Sequence, residues 1–383
     1  MANKRMTNLM QSEIRNMSIE CDKVNGINLS QGICDLPLDP ILKTGVEEAL
    51  NKGINQYTRY DGIEEIRTAI AAKAKHFNSI DSDPSTNITV TCGATGALYS
   101  ACLALLDPGD EVLLFQPFYG YHEYTLTAAD LVPVYLTLTP PNWDFSLEEM
   151  EKAITPKTKA IIINTPANPC GKVYTEEELN ILEDFCIKHD LIIFTDEIYE
   201  YITYDGRRHI SPGSIDRIKD RVITISGYSK TFSITGWRIG YSIAEEKKAH
   251  LIGVASDLVY VCAPAPLQYA AAMAIKKLDD TFYDNLKNEF IVKREKICTA
   301  LDKCGLAPYV PQGAYYVLAD ISKLPGNTSK EKCMWLLDKT GVASVPGESF
   351  YNREGGENLA RFCFAKDNDV LDIAASRLIK LFN

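Results

Sequence analysis

Lys230 and Arg238 stand eight residues apart in Ser226-Gly-Tyr-Ser-Lys230-Thr-Phe-Ser-Ile-Thr-Gly-Trp-Arg238. The preceding run, Arg221-Val-Ile-Thr-Ile-Ser226, reads as an apolar strand, and a strand end holds a side chain rigidly at the rim of a sheet. A lysine held there loses its proton more readily than one in water, and only the neutral amine condenses with a carbonyl. Arg238 offers a planar fork suited to a pair of phosphate oxygens. An amine beside a phosphate clamp is what pyridoxal 5'-phosphate requires. The plainer reading of the same residues is a Ser-Lys-Thr turn followed by a surface arginine.

Other segments bear on that choice. Cys92-Gly93-Ala94-Thr95-Gly96 follows a strand pattern and opens a helix, where small residues let an anion approach free backbone N–H groups. It lacks the spacing of a dinucleotide fingerprint and the Gly-Lys-Ser/Thr of a P-loop, and an ordinary tight turn is its alternative. Asp196 ends the strand pattern Leu191-Ile-Ile-Phe-Thr and begins Asp-Glu-Ile-Tyr199. A buried carboxylate there needs a cation, which a protonated pyridine nitrogen would supply; otherwise Asp196 caps a following helix. In Asn164-Thr-Pro-Ala-Asn168-Pro-Cys-Gly171, Asn168 is placed to donate to a phenolic oxygen, or the loop is simply structural. Tyr119, after another strand, suits stacking on a flat ring as well as a core position. Arg361 interrupts the apolar run Leu359–Phe364, as a carboxylate receptor or half of a buried ion pair. Gly32 could offer its N–H to the same carboxylate. His122, beside Glu123, reads as structural or surface, and neither a metal-ligand spacing nor a Gly-x-Ser-x-Gly elbow occurs.

The elements around these residues alternate. Strand patterns at 88–91, 111–115, 131–136, 160–164, 191–195 and 221–226 are short, β-branched and nearly all apolar, with helical patterns at 94–106, 146–154 and 175–189. Such alternation builds a mainly parallel α/β sheet. Residues 1–20 read as an arm or first helix, 41–52 and 62–79 as helices, and 264–304 as one long helical stretch. The remainder mixes strands and helices, an α+β unit that also takes in the N-terminal segment. With 383 residues the chain is long enough for two domains. Its net charge of −11 argues against nucleic acid or an anionic membrane as main partner, so any anionic ligand must meet a local basic site. Eleven scattered cysteines fit a reducing cytoplasm, and the opening residues carry no secretory pattern.

Taken in order, from about Asn28 to the C-terminus, these motifs resemble the class I/II aminotransferases, the fold-type I pyridoxal phosphate enzymes of the aspartate, aromatic and kynurenine group. Pro311-Gln-Gly-Ala-Tyr-Tyr and Val345-Pro-Gly add to the likeness. The resemblance implies an α/β fold with a large, mainly parallel seven-stranded α/β/α domain over 46–285 and a smaller α+β domain over 286–383, with 1–45 as arm and part of the latter. It implies that Lys230 bonds the cofactor and moves the proton. Asp196 would pair with the ring nitrogen, Asn168 and Tyr199 with the phenolic oxygen, and Tyr119 with the ring face. Gly93, Ala94, Thr95, Ser229 and Arg238 would hold the phosphate, joined by Tyr57 from a neighbouring subunit of a homodimer. Arg361, Gly32 and Asn168 would take the substrate carboxylate. A cis peptide is expected at Asn168–Pro169. Gly227 departs from the serine many members carry three residues before the lysine, with Ser226 or Ser229 as replacements. No Lys or Arg occurs from Leu251 to Ile275, where some aspartate aminotransferases bind a distal carboxylate, which leaves Arg59 as a substitute. The implied reaction passes an amino group from an L-amino acid to a 2-oxo acid such as 2-oxoglutarate. A C–S β-lyase on the same fold and a non-catalytic binding module are the alternatives.

Overall fold

Seven short apolar segments between residues 88 and 243 form one sheet in this computed structural model, which describes residues 12–352 and 354–381. Numbered within this sheet, they are β1 (Ile88–Cys92), β2 (Glu111–Gln116), β3 (Val132–Thr137), β4 (Thr158–Asn164), β5 (Ile192–Asp196), β6 (Val222–Gly227) and β7 (Ile239–Ile243). Their spatial order is β1-β7-β6-β5-β4-β2-β3. Only β7 runs antiparallel to its neighbours. Helices cover the sheet, so β6 and β7 are buried along their whole length. β7 and the helix Glu246–Tyr260 are additions to the elements predicted from sequence. Gly240 and Ser242 dilute the apolar signal of β7.

The parallel strands all end at one rim. Asn164 pairs in register with Asp196, and Asp196 with Ile225, so β4, β5 and β6 deliver their last side chains side by side. The strand order reverses between β4 and β2, and the loops there carry Asn168 and Tyr119. Ligands of open α/β sheets bind at such a switch point.

A second, antiparallel sheet joins Val345–Pro346, Leu359–Cys363, Tyr316–Asp320 and Ala307–Tyr309. Arg361 sits in its centre, opposite Leu318 and Val345. The N-terminal segment pairs Ile27–Asn28 in parallel with Val342–Ala343, which carries Gly32 to this side of the molecule. The stretch 264–304 is two helices, Ala265–Lys277 and Asp280–Lys303, not one; Asp279 caps the second by accepting from the Thr281 amide at 3.1 Å. Residues 62–79 likewise form the helix Glu64–Lys73 and a π-helical turn Ala74–Asn78, which folds Asn78 back onto the Lys73 ammonium at 2.9 Å. The first helix among the described residues is Glu13–Lys23; the opening residues read for a secretory pattern lie outside the described residues. No helix among the described residues is long and apolar enough to cross a membrane.

Gly240 marks where β7 presses on the turn before the helix Gly93–Leu105. A Cβ there would stand 2.3 Å from both the Ala94 nitrogen and the Gly93 carbonyl carbon. Gly240→Ala is therefore expected to cost about 1–3 kcal/mol of stability by overpacking, read as a lowered midpoint in urea unfolding.

Candidate active site

Lys230 lies just beyond β6 on the wall of a cavity of about 370 Å3. Its Nζ donates to the Gly32 carbonyl at 3.1 Å and sits 5.8 Å from the centre of the Tyr315 ring. Burial lowers this amine to about 8; Cys363 and Cys34 pull the other way, while Arg361 and Arg238 add to the lowering. The neutral form is thus accessible near neutral pH.

Asp196, the last residue of β5, faces the same cavity. Its Oδ2 accepts from His122 Nε2 at 2.8 Å, and Oδ1 accepts weakly from the Ile198 amide at 3.3 Å. His122 is buried, not at the surface, and no helix follows Asp196 for it to cap. Asn164 ties the neighbouring loop to this strand end. Its Nδ2 donates to the Asp196 carbonyl at 2.9 Å and its Oδ1 accepts from the Asn168 amide at 2.7 Å. The Asn168–Pro169 bond is cis, as expected.

Asn168 Oδ1 accepts from Arg361 Nη1 at 2.9 Å, which leaves the amide NH2 of Asn168 available as donor. Arg361 Nη2 donates to the Ser30 carbonyl at 2.6 Å, and its guanidinium lies over Tyr316 and Phe350. Its Nε is buried without a partner, and no carboxylate among the described residues pairs with it. The buried ion pair considered for Arg361 is therefore absent, and the cation is left for an anion in the cavity. Tyr199 and Tyr316 share a hydrogen bond at 3.0 Å. Burial raises both phenols, Tyr316 to about 12, so both stay protonated.

At the other end of the cavity, Ala94 and Thr95 open the helix Gly93–Leu105. Arg238 lies across that helix start, donating from Nη1 to the Thr235 carbonyl at 2.9 Å. Gly93 has φ +78° and no room for a side chain, since a Cβ would fall 2.2 Å from Arg238 Nη2. The result is a cradle of free N–H groups beside a guanidinium, built for an anion. Gly227 is explained by the same crowding: a Cβ would meet the Ile239 carbonyl at 2.8 Å. Of the two replacement serines, Ser229 lines the cavity, while Ser226 turns away to Glu200 Oε1 at 3.0 Å. Tyr119 also lines the cavity, edge-on to His122.

Two residues lie elsewhere. Tyr57 is 83% exposed in a separate groove and is no part of its own chain's cavity. Arg59 shares that groove, and both Nε and Nη2 are taken by Asp61, so it does not replace the missing cation. Among the described residues, Glu197, Glu200 and His209 cluster at metal-like spacing. Their oxygens are committed to Thr195, Ser211, His209, Lys73, Asn78 and Ser226.

A family model described as "Aminotransferase class I and II" matches residues 24–378. This chain belongs to the class I and II aminotransferases. It is 37% identical to kynurenine–oxoglutarate transaminase 3 of Rattus norvegicus, over 93% of this chain and 85% of that protein. It is 34% identical to aromatic-amino-acid aminotransferase 2 of Thermococcus litoralis, over 98% and 97%. The solved N-succinyldiaminopimelate aminotransferase of Mycobacterium tuberculosis superposes with a TM-score of 0.95 at 33% identity, covering both chains completely. The chain is accordingly an enzyme, a transaminase of fold type I, and the lyase alternative is disfavoured.

In this aminotransferase, sequence reasoning reads His122 as structural or surface and gives no role to Asn164 or Tyr316. His122 lies in the first turn of the helix Gly120–Ala128, just after its N-cap Tyr119, and nothing local in the sequence points from there to Asp196. An amine-directed acylating reagent is expected to modify Lys230 of cofactor-free protein at a rate that rises through pH about 8, read by peptide mass. Surface lysines should follow only near pH ~10.

Proposed function

We propose that this aminotransferase uses pyridoxal 5'-phosphate to move an amino group from an L-amino acid with an aromatic or similar apolar side chain to a 2-oxo acid such as 2-oxoglutarate. The observation that carries this is the convergence on one cavity of a readily neutralised amine, a carboxylate backed by histidine, and two arginines with no acidic partner among the described residues. The cradle at Gly93, which a Cβ would fill, fits the phosphate. When bound, the cofactor supplies an aldehyde for the amine to condense with and a protonated ring that takes up an electron pair.

The chain's residues divide the rest. Lys230 would hold the cofactor through its amine and, once freed, would take the proton from the substrate Cα. Asp196 would pair with the ring nitrogen, and His122 holds that carboxylate in place. Asn168 and Tyr199 would donate to the phenolic oxygen, and Tyr119 would lie against the ring. Gly93, Ala94, Thr95, Ser229 and Arg238 hold the phosphate by backbone N–H, hydroxyl and guanidinium. Arg361 receives the substrate carboxylate, with Gly32 closing over it. The apolar flank of the cavity, from Ile14, Ile33 and Tyr121, suits the donor side chain, and relatives named for kynurenine and aromatic amino acids support that choice.

The reading includes a homodimer in the cytoplasm. Tyr57 stands in solvent, and Leu251, Val254 and Leu258 make an exposed apolar stripe on the helix Glu246–Tyr260. A partner copy would cover that stripe and receive Tyr57 at its phosphate cradle. Eleven free cysteines suit a reducing compartment.

Purified protein is expected to be coloured, and Lys230→Ala to lose both the visible absorbance and transamination. A folded, colourless wild type that ignores added cofactor would sink the proposal. Pyruvate and ammonia release from S-alkyl cysteines without an oxo acid acceptor, running faster than transamination, would restore the lyase. His122→Leu removes the buried donor to Asp196 and should slow single-turnover proton transfer roughly ten- to hundredfold, the loss of one hydrogen bond to a charged group.

A further inference from the structure

Four Lys and Arg side chains line the cavity among the described residues: Lys230, Arg238, Arg361 and Arg15. The first three have roles in the proposed function. Arg15 has none. It projects from the N-terminal helix Glu13–Lys23, with Ser12 and Ile14 beside it on the cavity wall. Its guanidinium makes no hydrogen bond or ion pair with any described residue. Glu13, the nearest acid in sequence, is engaged by Asn16 at 3.2 Å and by Lys330 at 3.1 Å.

We propose that Arg15 binds the distal carboxylate of dicarboxylic substrates at the mouth of this cavity. The inference rests on the aminotransferase reading above and names part of its substrate range. A two-substrate transaminase must take both side chains in one place, and here an apolar donor and a 2-oxo diacid have opposite needs. Ile14, Ile33 and Tyr121 serve the first. The second requires a cation, and the other candidates are gone: Arg59 is held by Asp61, Lys366 by Asp35, and 251–275 contains neither Lys nor Arg. Arg15 is exposed, so its long side chain can turn inward to a carboxylate and outward to water when the occupant is apolar. Its planar fork suits a carboxylate pair of oxygens.

The test uses the holoenzyme and Arg15→Gln. With one amino donor held fixed, kcat/KM is measured for 2-oxoglutarate and for phenylpyruvate. The ratio between the two acceptors is expected to fall about tenfold, mainly through KM for the diacid, as expected for one charge-assisted contact. Glutarate, which cannot react, should bind about tenfold more weakly by calorimetry, and Arg15→Lys should recover part of both effects. An unchanged ratio, or equal losses for both acceptors with unaltered glutarate binding, would show that Arg15 merely covers the cavity and overturn the inference. Wild-type protein that transaminates with neither acceptor would overturn the broader reading as well, and is told apart from the first failure by the wild-type rates alone.

Discussion

One hydrogen bond, from the buried imidazole of His122 to Asp196 at 2.8 Å, fixes the carboxylate around which the cavity is arranged. A carboxylate at a strand end has rotational freedom unless something restrains it, and a buried donor restrains it. The backbone is restrained as well. Asp196 is in register with Asn164 on one side and Ile225 on the other, and Asn164 spends its side chain on the Asp196 carbonyl and the Asn168 amide. Asn168 in turn accepts from Arg361, across to the second sheet. A single chain of contacts thus runs from the large sheet through Asp196 and Asn168 to Arg361.

Behind the cavity, the residues leaving Asp196 are fastened by two buried acids. Glu200 pairs with Lys73 at 2.5 Å and also accepts from Asn78 and Ser226. Burial alone would raise its carboxyl, but Lys73 and His209 outweigh that and hold it below the ordinary value. Glu197 accepts from Thr195, Ser211 and His209. Such groups add little net stability when satisfied, yet removing one partner typically costs about 3–5 kcal/mol. Their effect is to make the turn from Asp196 to Tyr199 adopt one shape. The π-helical turn Ala74–Asn78 belongs to this device, because it brings Asn78 and Lys73 to Glu200 together.

The sequence carried the large sheet well because strands buried on both faces read as unbroken apolar runs. It hid β7, where Gly240 must be small to lie against Gly93, so packing removed the very residues that signal a strand. Lys230, Asp196 and Arg361 stood out because each is a polar residue at or just past the end of an apolar strand or inside one, whereas Arg238 stood out by its spacing from Lys230 and Asn168 by its Pro- and Gly-rich loop. His122 was not, because its role depends on a partner 74 residues away. Likewise Ser226 and Ser229 are equivalent on paper. Ser226 is still within β6 and faces Glu200, whereas Ser229 lies past the strand end and lines the cavity.

Charge explains why so few residues can serve so many ends. The chain carries −11 overall, but beyond about 8 Å its field is largely screened at physiological salt. Anions are therefore met by the cations of the cavity alone. Arg361 and Arg238 act on those anions and, at the same time, lower the Lys230 amine, after burial has done most of that. These two effects are linked. An anion seated on either guanidinium cancels part of its field at Lys230, so the amine becomes a stronger base once phosphate and carboxylate are in place. Under the proposed roles, the same arginines favour a neutral, nucleophilic lysine before the ligands arrive and a proton-accepting one afterwards, with no movement of the backbone required.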